Sequence, residues 1–185
     1  MATKPVVIGL VGMPASGKTV VAEHLAKKPG AFRIHLGDFI WDWLKRRGVK
    51  PSEEAGLMAS LYLWAEYGDI PIAQWAINEV KKAKGKKLII LDSLRTVEEA
   101  RIFQVKFGNN FHIIAVLASP AARLKREQSR ARFGLINKLT FRMRDREELR
   151  LGVGDLIASS NHYIDGNQSI ASVKKQTDAI LKHLR

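Results

Sequence analysis

The stretch Gly12-Met13-Pro14-Ala15-Ser16-Gly17-Lys18-Thr19 decides the fold of this 185-residue chain. It matches the pattern G-x-x-x-x-G-K-[ST], in which glycines let the backbone curl so that successive N–H groups point at phosphate oxygens. In such a loop Lys18 neutralises the β- and γ-phosphates of a nucleotide, and the Thr19 hydroxyl ligates Mg²⁺. An apolar run at residues 6–11 precedes the motif and a helical pattern at 19–28 follows it, which is the context the motif requires. We therefore predict that residues 12–19 bind the phosphates of ATP together with Mg²⁺.

Strand and helix patterns alternate along much of the remaining chain. Further apolar runs typical of buried strands occupy residues 32–36, 87–91, 111–117 and 162–164. One of the intervening helices begins with a capping box of Thr96 and Glu99, and a last helical pattern covers residues 169–184. This alternation predicts an α/β fold of three layers, with a five-stranded parallel sheet covered by helices on both faces.

Two stretches interrupt the alternation. Residues 38–85 look helical, with Pro51 and Pro71 at the expected helix starts, and contain all four tryptophans: Trp41, Trp43, Trp64 and Trp75. These side chains fit a helical core, a dimer surface or a platform on which a base stacks. Residues 126–155 are helical and rich in arginine. We therefore divide a single domain, 1–185, into a core (1–37, 86–125 and 156–185), a helical insert (about 38–85) and a lid (about 126–155).

Polar residues follow three of the predicted strands, where ligands bind in doubly wound sheets. Asp38 either orients or deprotonates an acceptor hydroxyl, or caps the helix that begins near Phe39. Asp92 is expected to hold the water shell of Mg²⁺ opposite Thr19. Arg95 is expected to grip an acceptor phosphate; the alternative is a capped loop with a solvated arginine.

A concentration of arginines in the lid is the next candidate for catalysis. Arg126 and Arg130 are four residues apart and share one helix face, and Arg144 follows in the next helical stretch. Guanidinium groups that close over transferring phosphates stabilise transition-state charge. The alternatives are surface charge or an RNA-binding patch, and we expect one to three of these arginines to be catalytic.

The net charge indicates which classes of binding partner the chain attracts. The chain has 31 Lys+Arg against 18 Asp+Glu, so its formal charge is +13, which attracts nucleotides, phosphorylated metabolites and RNA. One lysine run lies at residues 81–87. Cysteine is absent, which excludes disulfides and thiolate zinc sites, and the apolar run at 6–11 is too short to span a membrane. We expect a cytoplasmic protein, monomer or homodimer, with no membrane partner.

Taken in order, several strings resemble one family of proteins. They are residues 12–19, Gly37-Asp38, Asp92-Ser93-Leu94-Arg95, Arg126-x-x-x-Arg130, Arg144-Asp145-Arg146-Glu147-Glu148-Leu149 and Gly152-Val153-Gly154. The chain resembles an archaeal, nucleotide-kinase-like P-loop family that is related to dephospho-CoA kinase and to nucleoside monophosphate (adenylate) kinases. The resemblance covers nearly the whole chain.

The resemblance implies a kinase with a core, an acceptor-binding insert and an arginine-bearing lid. It implies that Asp38 and Arg95 face the acceptor and that Arg126, Arg130 and Arg144 reach the phosphates. One position departs from the pattern: related kinases often carry an arginine three residues after the Gly-Asp aspartate, and this chain has Trp41. Arg46 or Arg47 is the expected substitute.

The leading hypothesis is an ATP-dependent phosphotransferase that acts on a small phosphorylated acceptor such as a nucleoside monophosphate. Two alternatives remain open from the residues. One is a dephospho-CoA kinase-like enzyme, which differs by its acceptor. The other is an RNA- or ribosome-associated P-loop ATPase, which the positive charge favours.

Overall fold

The computed structural model describes residues 4–68, 70–130 and 137–184, with the backbone alone at residues 53 and 130. Strands and helices follow one another in this order: β1 (Val6–Val11), α1 (Lys18–Ala26), β2 (Ala31–His35), α2 (Asp38–Arg46), α3 (Glu53–Tyr67), α4 (Ile70–Lys82), β3 (Leu88–Asp92), α5 (Val97–Phe107), β4 (Phe111–Leu117), α6 (Pro120–Arg130), α7 (Lys138–Arg150), α8 (Val153–Ala158), β5 (His162–Asp165) and α9 (Ile170–His183). A 3₁₀ turn at Gly108–Asn110 joins α5 to β4.

The strands form one parallel sheet in the order β2-β3-β1-β4-β5. In the central strand, Gly9 is opposite Leu91 of β3 on one side and Ile113 of β4 on the other. The prediction of an α/β fold with a five-stranded parallel sheet is confirmed. Because the strands are parallel, their carboxyl ends meet at one edge of the sheet and their amino ends at the other. We call these the carboxyl edge and the amino edge.

Two apolar layers cover the two faces of the sheet. One contains Ile89, Leu91, Ala115 and Phe103, with residues of α4, α5 and α8. The other contains Ile8, Leu10 and Ile90, with residues of α1 and α9. The sheet is therefore buried on both faces, as its near-continuous apolar strands require.

The insert has a small core of its own. Ile40, Leu44, Ala59 and Leu63 are buried there, and Trp41 and Trp43 pack against them. Trp64 is 53% exposed on α3, so the interpretation of the tryptophans as a helical core holds for part of the set. Pro51 directly precedes Ser52, which caps α3 by accepting from the Ala55 N–H.

Element ends differ from the sequence expectation by one or two residues. Helix α1 ends at Ala26 where the pattern suggested residue 28, and β3 includes Asp92 because this residue pairs with His35 and Leu10 of the neighbouring strands. The capping box of Thr96 and Glu99 is confirmed. Within the described residues there is no helix both long enough and apolar enough to cross a membrane.

Candidate active site

The phosphate-binding loop, residues 12–19, connects β1 to α1 at the carboxyl edge. Gly12 has a φ of +151°, and a Cβ atom there would lie 2.4 Å from the carbonyl oxygen of Val116 on β4, so only glycine fits. Ala15 has a φ of +58°, an uncommon backbone conformation for a residue with a side chain. The only other such residue in the described part of the chain is Ser93, directly after Asp92. Backbone strain of this kind concentrates at functional sites.

The loop leaves hydrogen-bonding groups unused. The hydroxyl of Ser16 is buried and has no hydrogen-bond partner among the described residues. Helix α1 is preceded by Gly17, and no side chain caps it. A buried polar group normally has a partner, and the first N–H groups of a helix attract anions. The loop therefore has the donors and the positive end of a helix that a phosphate needs.

Lys18 lies half-buried inside the loop, where its Nζ donates to the carbonyl oxygens of Gly12 and Met13. Burial lowers the pKa of Lys18 to about 8. Glu148 and Asp92 favour the charged form, whereas Arg95 and Arg123 oppose it. The tertiary structure thus brings Lys18 within electrostatic range of Asp92 and Arg95, which the sequence predicted, and of Glu148.

Asp92 is 2% exposed at the end of β3. Its Oδ2 accepts from Nε (3.0 Å) and Nη2 of Arg33, a residue in the middle of β2. Its Oδ1 has a long contact of 3.4 Å with the Ser93 hydroxyl. Sequence reasoning missed Arg33, although a charged residue inside an otherwise apolar strand is a signal that could have found it.

Mg²⁺ can bind at this site only if protein oxygen atoms are available to ligate it. Thr19 is exposed at the start of α1. The Oδ1 of Asp92 takes no part in the Arg33 ion pair and has only the long contact with the Ser93 hydroxyl among the hydrogen bonds of the described residues. Among the described residues no group of three or more His, Asp or Glu side chains is placed to hold a metal. Mg²⁺ takes one or two protein ligands and completes its shell with phosphates and water.

A cavity of about 400 Å³ lies beside this ion pair. Its lining side chains are Arg33, His35, Asp38 and Trp41. Nδ1 of His35 lies 3.1 Å from Oδ1 of Asp38. The capping alternative for Asp38 was wrong: the residue before α2 is Gly37, no side chain caps the helix, and Asp38 lies in its first turn.

The arginine that lines the cavity is Arg33, whereas Arg46 or Arg47 was expected near the acceptor. Arg47 stacks over the Trp43 ring at 3.7 Å, and neither it nor Arg46 belongs to the lining. Arg33 does, beside Trp41. The Trp41 ring also packs on α3, where a Cβ added to Gly56 would lie 2.7 Å from the ring. Helix α3 therefore approaches the cavity through a glycine.

The lid arginines have protein partners in this structure. Arg126 donates to the carbonyl oxygens of Ala15 (3.1 Å), Ser16 (3.2 Å) and Gly166, so it braces the phosphate-binding loop from α6. Arg144 on α7 donates to Glu127 at 3.2 Å. The side chain of Arg130 lies outside the described residues. Arg95 and Glu148 form an ion pair with 3.5 Å between the closest atoms.

Arg123 is the buried arginine of the site, 4% exposed. Its guanidinium donates to both carboxylate oxygens of Asp145 (2.7 and 2.6 Å) and, at 3.3 Å, to the carbonyl of Pro14. It lies over the Phe141 ring at 4.9 Å. Since Arg123 is on α6, Asp145 and Phe141 on α7 and Pro14 in the loop, this one side chain joins the lid to the phosphate-binding loop.

Comparison with known proteins agrees with this geometry. Residues 11–135 match the model of the AAA domain family. A UPF0200 protein of Methanosarcina barkeri is 33% identical over 96% of this chain and 95% of its own length. This chain belongs to the UPF0200 family. The UPF0200 protein of Thermococcus kodakarensis is 30% identical over 96% of this chain and all of that relative.

Solved structures share the fold of this UPF0200 protein. TT1252 from Thermus thermophilus superposes with a TM-score of 0.71 and 15% identity, covering 99% of this chain and 100% of that one. A shikimate kinase from Acinetobacter baumannii, in complex with shikimate, has a TM-score of 0.59 and 17% identity over 98% and 93% of the two chains. A gluconokinase from Sinorhizobium meliloti 1021 has a TM-score of 0.62 and 17% identity over 97% and 93%. The protein therefore has the fold of small P-loop kinases.

Proposed function

We propose that this UPF0200 protein is an ATP-dependent phosphotransferase that transfers the γ-phosphoryl group of Mg-ATP to a small phosphorylated acceptor such as a nucleoside monophosphate. One observation carries the proposal: Asp92 links two sites. It interacts electrostatically with Lys18 of the phosphate-binding loop, and it is hydrogen-bonded to Arg33, which lines the adjacent cavity. Group transfer between two small ligands requires that they bind at adjacent sites. Here one carboxylate joins the donor site to a separate cavity.

In this proposal the donor phosphates lie on the loop. The buried Ser16 hydroxyl and the uncapped start of α1 hydrogen-bond to them, and Lys18 neutralises their charge. Bound Mg²⁺ supplies further neutralisation of the phosphate oxygens, with Thr19 and the Oδ1 of Asp92 as the protein groups that hold it. Arg126 acts on the donor indirectly, since it holds the loop carbonyls.

The acceptor occupies the cavity at residues 33–41. Arg33 binds its anionic group, and Trp41 packs against its ring. An oxygen of the acceptor attacks the γ-phosphorus, the bond to the bridging β–γ oxygen breaks, and ADP leaves. A phosphate oxygen needs no base for this step, whereas a hydroxyl acceptor gives its proton to the pair of His35 and Asp38.

Arginines of the lid stabilise the charge of the transferring group. Arg144 of the lid is held by Glu127 in this structure, and Arg95, which lies outside the lid, is held by Glu148. We propose that both exchange these partners when the two ligands bind, Arg144 for oxygens of the transferring group and Arg95 for the acceptor phosphate. Arg130 belongs to the same proposed set. Such a closure also excludes water and so suppresses hydrolysis of ATP.

ADP release with Mg-ATP should be measured against each ribo- and deoxynucleoside monophosphate, dephospho-CoA, shikimate, gluconate, RNA and no acceptor. Strong stimulation by one small acceptor, with its phosphorylated product identified, would support the proposal and name the substrate. Stimulation by RNA alone would favour an RNA-dependent ATPase, and stimulation by dephospho-CoA would favour the dephospho-CoA kinase-like alternative.

Lys18→Ala tests the chemistry. It should abolish turnover, because neither the loop amides nor the arginines replace a charge at the β- and γ-phosphates. The surface control is Arg101→Ala, which removes a cation that pairs with Glu98 on the exposed side of α5 and should leave turnover unchanged. Full activity in Lys18→Ala would refute the mechanism.

A further inference from the structure

Lysines collect at the amino edge of the sheet, opposite the phosphate-binding loop. The parallel strands begin at this edge, and the helices α1, α4, α5 and α9 end there. The side chains concerned, which we call the lysine edge, are Lys4, Lys27, Lys28, Lys81, Lys82, Lys84, Lys86, Lys87, Lys106 and Lys182. Apart from half-buried Lys28, all of them are exposed. Backbone hydrogen bonds tie their segments together: the Lys87 N–H donates to Gly30, and the Val6 N–H donates to the Lys87 carbonyl.

Unpaired charge distinguishes this edge from the site at the other end. There, Arg33, Arg95, Arg123 and Arg144 each have a carboxylate partner. On the lysine edge, two carboxylates of the described residues form ion pairs, Asp178 with Lys28 and Glu79 with Lys82. Within the described part of the chain, eight of the ten lysines of this edge therefore have no ion pair with a carboxylate.

Two histidines at this edge, His112 and His162, have lowered pKa values. Burial lowers the pKa of His112, at the start of β4, and the neighbouring His162 lowers it further. Burial also lowers the pKa of His162, and His183 at the end of α9 adds to the effect.

The spacing of the lysines suits an extended polyanion. One group precedes each of several neighbouring strands: residues 27–28 before β2, 84–87 before β3, Lys4 before β1 and Lys106 before β4. Neighbouring strands lie about 4.8 Å apart, so the row across these four strands is about 14 Å wide. One strand of a duplex places about four phosphates along that distance. A single small anion would use only a fraction of the row.

We propose that the lysine edge binds the phosphate backbone of a nucleic acid, at a site separate from the phosphate-binding loop. An anionic membrane is the less suitable partner, because surfaces that bind membranes combine basic with apolar side chains. The large exposed apolar residues of α3 and α4, such as Met58, Trp64 and Ile70, lie on the insert, away from this edge. Binding through lysines alone is independent of base sequence.

The test measures binding of fluorescein-labelled duplexes of about 20 base pairs, one of RNA and one of DNA, by anisotropy between about 50 and 300 mM KCl. We expect the logarithm of the affinity to fall linearly with that of the salt concentration. Lys84→Glu/Lys86→Glu should bind at least about tenfold more weakly at about 100 mM KCl, with a slope shallower by about 2. Equal affinity for both duplexes would identify backbone charge as the determinant; a preference for RNA would identify RNA as the partner.

Lys174→Glu/Lys175→Glu is the matched control. It changes the net charge equally, on exposed residues in the first half of α9, away from the edge. The control should keep near-wild-type affinity, and saturating Mg-ATP should displace no duplex. The proposal would be overturned by an absence of salt-dependent binding, by equal losses in the two double variants, or by displacement of the duplex by Mg-ATP. Equally tight binding to phosphatidylserine vesicles would also overturn it, in favour of a membrane. Nucleotide binding should be retained in Lys84→Glu/Lys86→Glu. A loss of duplex affinity in that variant is then independent of whether the proposed kinase activity is found.

Discussion

Lys18 is the residue whose charge the fold controls most directly. Its pKa is lowered to about 8 in the free protein, mainly by burial. Bound phosphates favour the protonated amine and raise the pKa again, so above about pH 8 the bound protein holds a proton that the free protein has lost. Affinity for Mg-ATP should therefore be constant from about pH 6 to about 7.5 and fall by up to about tenfold per pH unit above about pH 8.

Isothermal titration calorimetry at a series of pH values measures this dependence. Lys18→Arg serves as the comparison, because a guanidinium keeps its charge throughout the range. The variant should lose the pH dependence whatever its absolute affinity. A wild-type affinity that is constant up to about pH 9.5 would show that Lys18 does not lose its proton there.

Arg33 is the residue through which acceptor binding can be tested. Arg33→Gln removes the cation from the cavity that also contains His35, Asp38 and Trp41. Loss of one charge-assisted contact should raise the KM of the acceptor about 10- to 100-fold and leave the KM of ATP within about twofold. Arg33→Lys should retain part of the binding, since the charge remains without the two-donor geometry.

Initial-rate kinetics with each substrate varied in turn separates the two effects, and Arg101→Gln on α5 is the surface control. If Arg33 only holds Asp92, its loss should instead alter ATP and Mg²⁺ dependence and leave acceptor KM unchanged. That pattern would contradict the acceptor-binding role.

At the scale of elements, the pair of Arg123 and Asp145 joins α6, α7 and the phosphate-binding loop. Arg123 is 4% exposed, so Asp145→Ala leaves a buried guanidinium without its counter-ion. Breaking a buried pair in this way should lower the free energy of unfolding by about 3–5 kcal/mol. Glu147→Ala, on the same helix, breaks an exposed pair with Arg150 and should cost less than about 1 kcal/mol.

Urea denaturation followed by circular dichroism measures both values. A loss below about 1 kcal/mol in Asp145→Ala would mean that α7 contributes little to the cooperative fold. It would also mean that the lid can detach from the loop at low cost.

For the whole molecule, the lysine edge predicts a response to salt. Unpaired lysines repel one another, and raising KCl from about 0.1 to 1 M shortens the screening length from about 10 to 3 Å. Buried pairs such as Arg123 and Asp145 are screened less, so the net effect should be stabilising. If relief of repulsion contributes about 1 kcal/mol, Tm should rise by about 2–4 °C.

Differential scanning calorimetry of the two double variants locates the effect. Lys84→Glu/Lys86→Glu should show a smaller rise than the wild type, and Lys174→Glu/Lys175→Glu a rise close to it. Equal responses in the two variants would mean that the repulsion is spread over the whole surface.

The sequence by itself determined the fold class and the phosphate-binding loop. The spacing of residues 12–19 specifies a local backbone shape, and the apolar runs around it specify a parallel sheet, so the fold class needed little further information. The position of Asp92 and Arg95 at the carboxyl edge was predictable for the same reason, because the carboxyl ends of parallel strands meet there. The spacing of motif residues and the alternation of apolar and polar segments can both be read directly from the amino-acid sequence.

Only the tertiary structure decided which distant side chains meet. Arg33 and Asp92 are 59 residues apart, and they meet because β2 and β3 are neighbours in the sheet. That Arg126 donates to the loop carbonyls of residues 15 and 16, more than 100 residues away in the chain, is likewise decided by the tertiary structure. The lysines are scattered over most of the chain and share an edge because parallel strands all begin on the same side. Such pairings depend on packing between elements, which sequence periodicity does not encode.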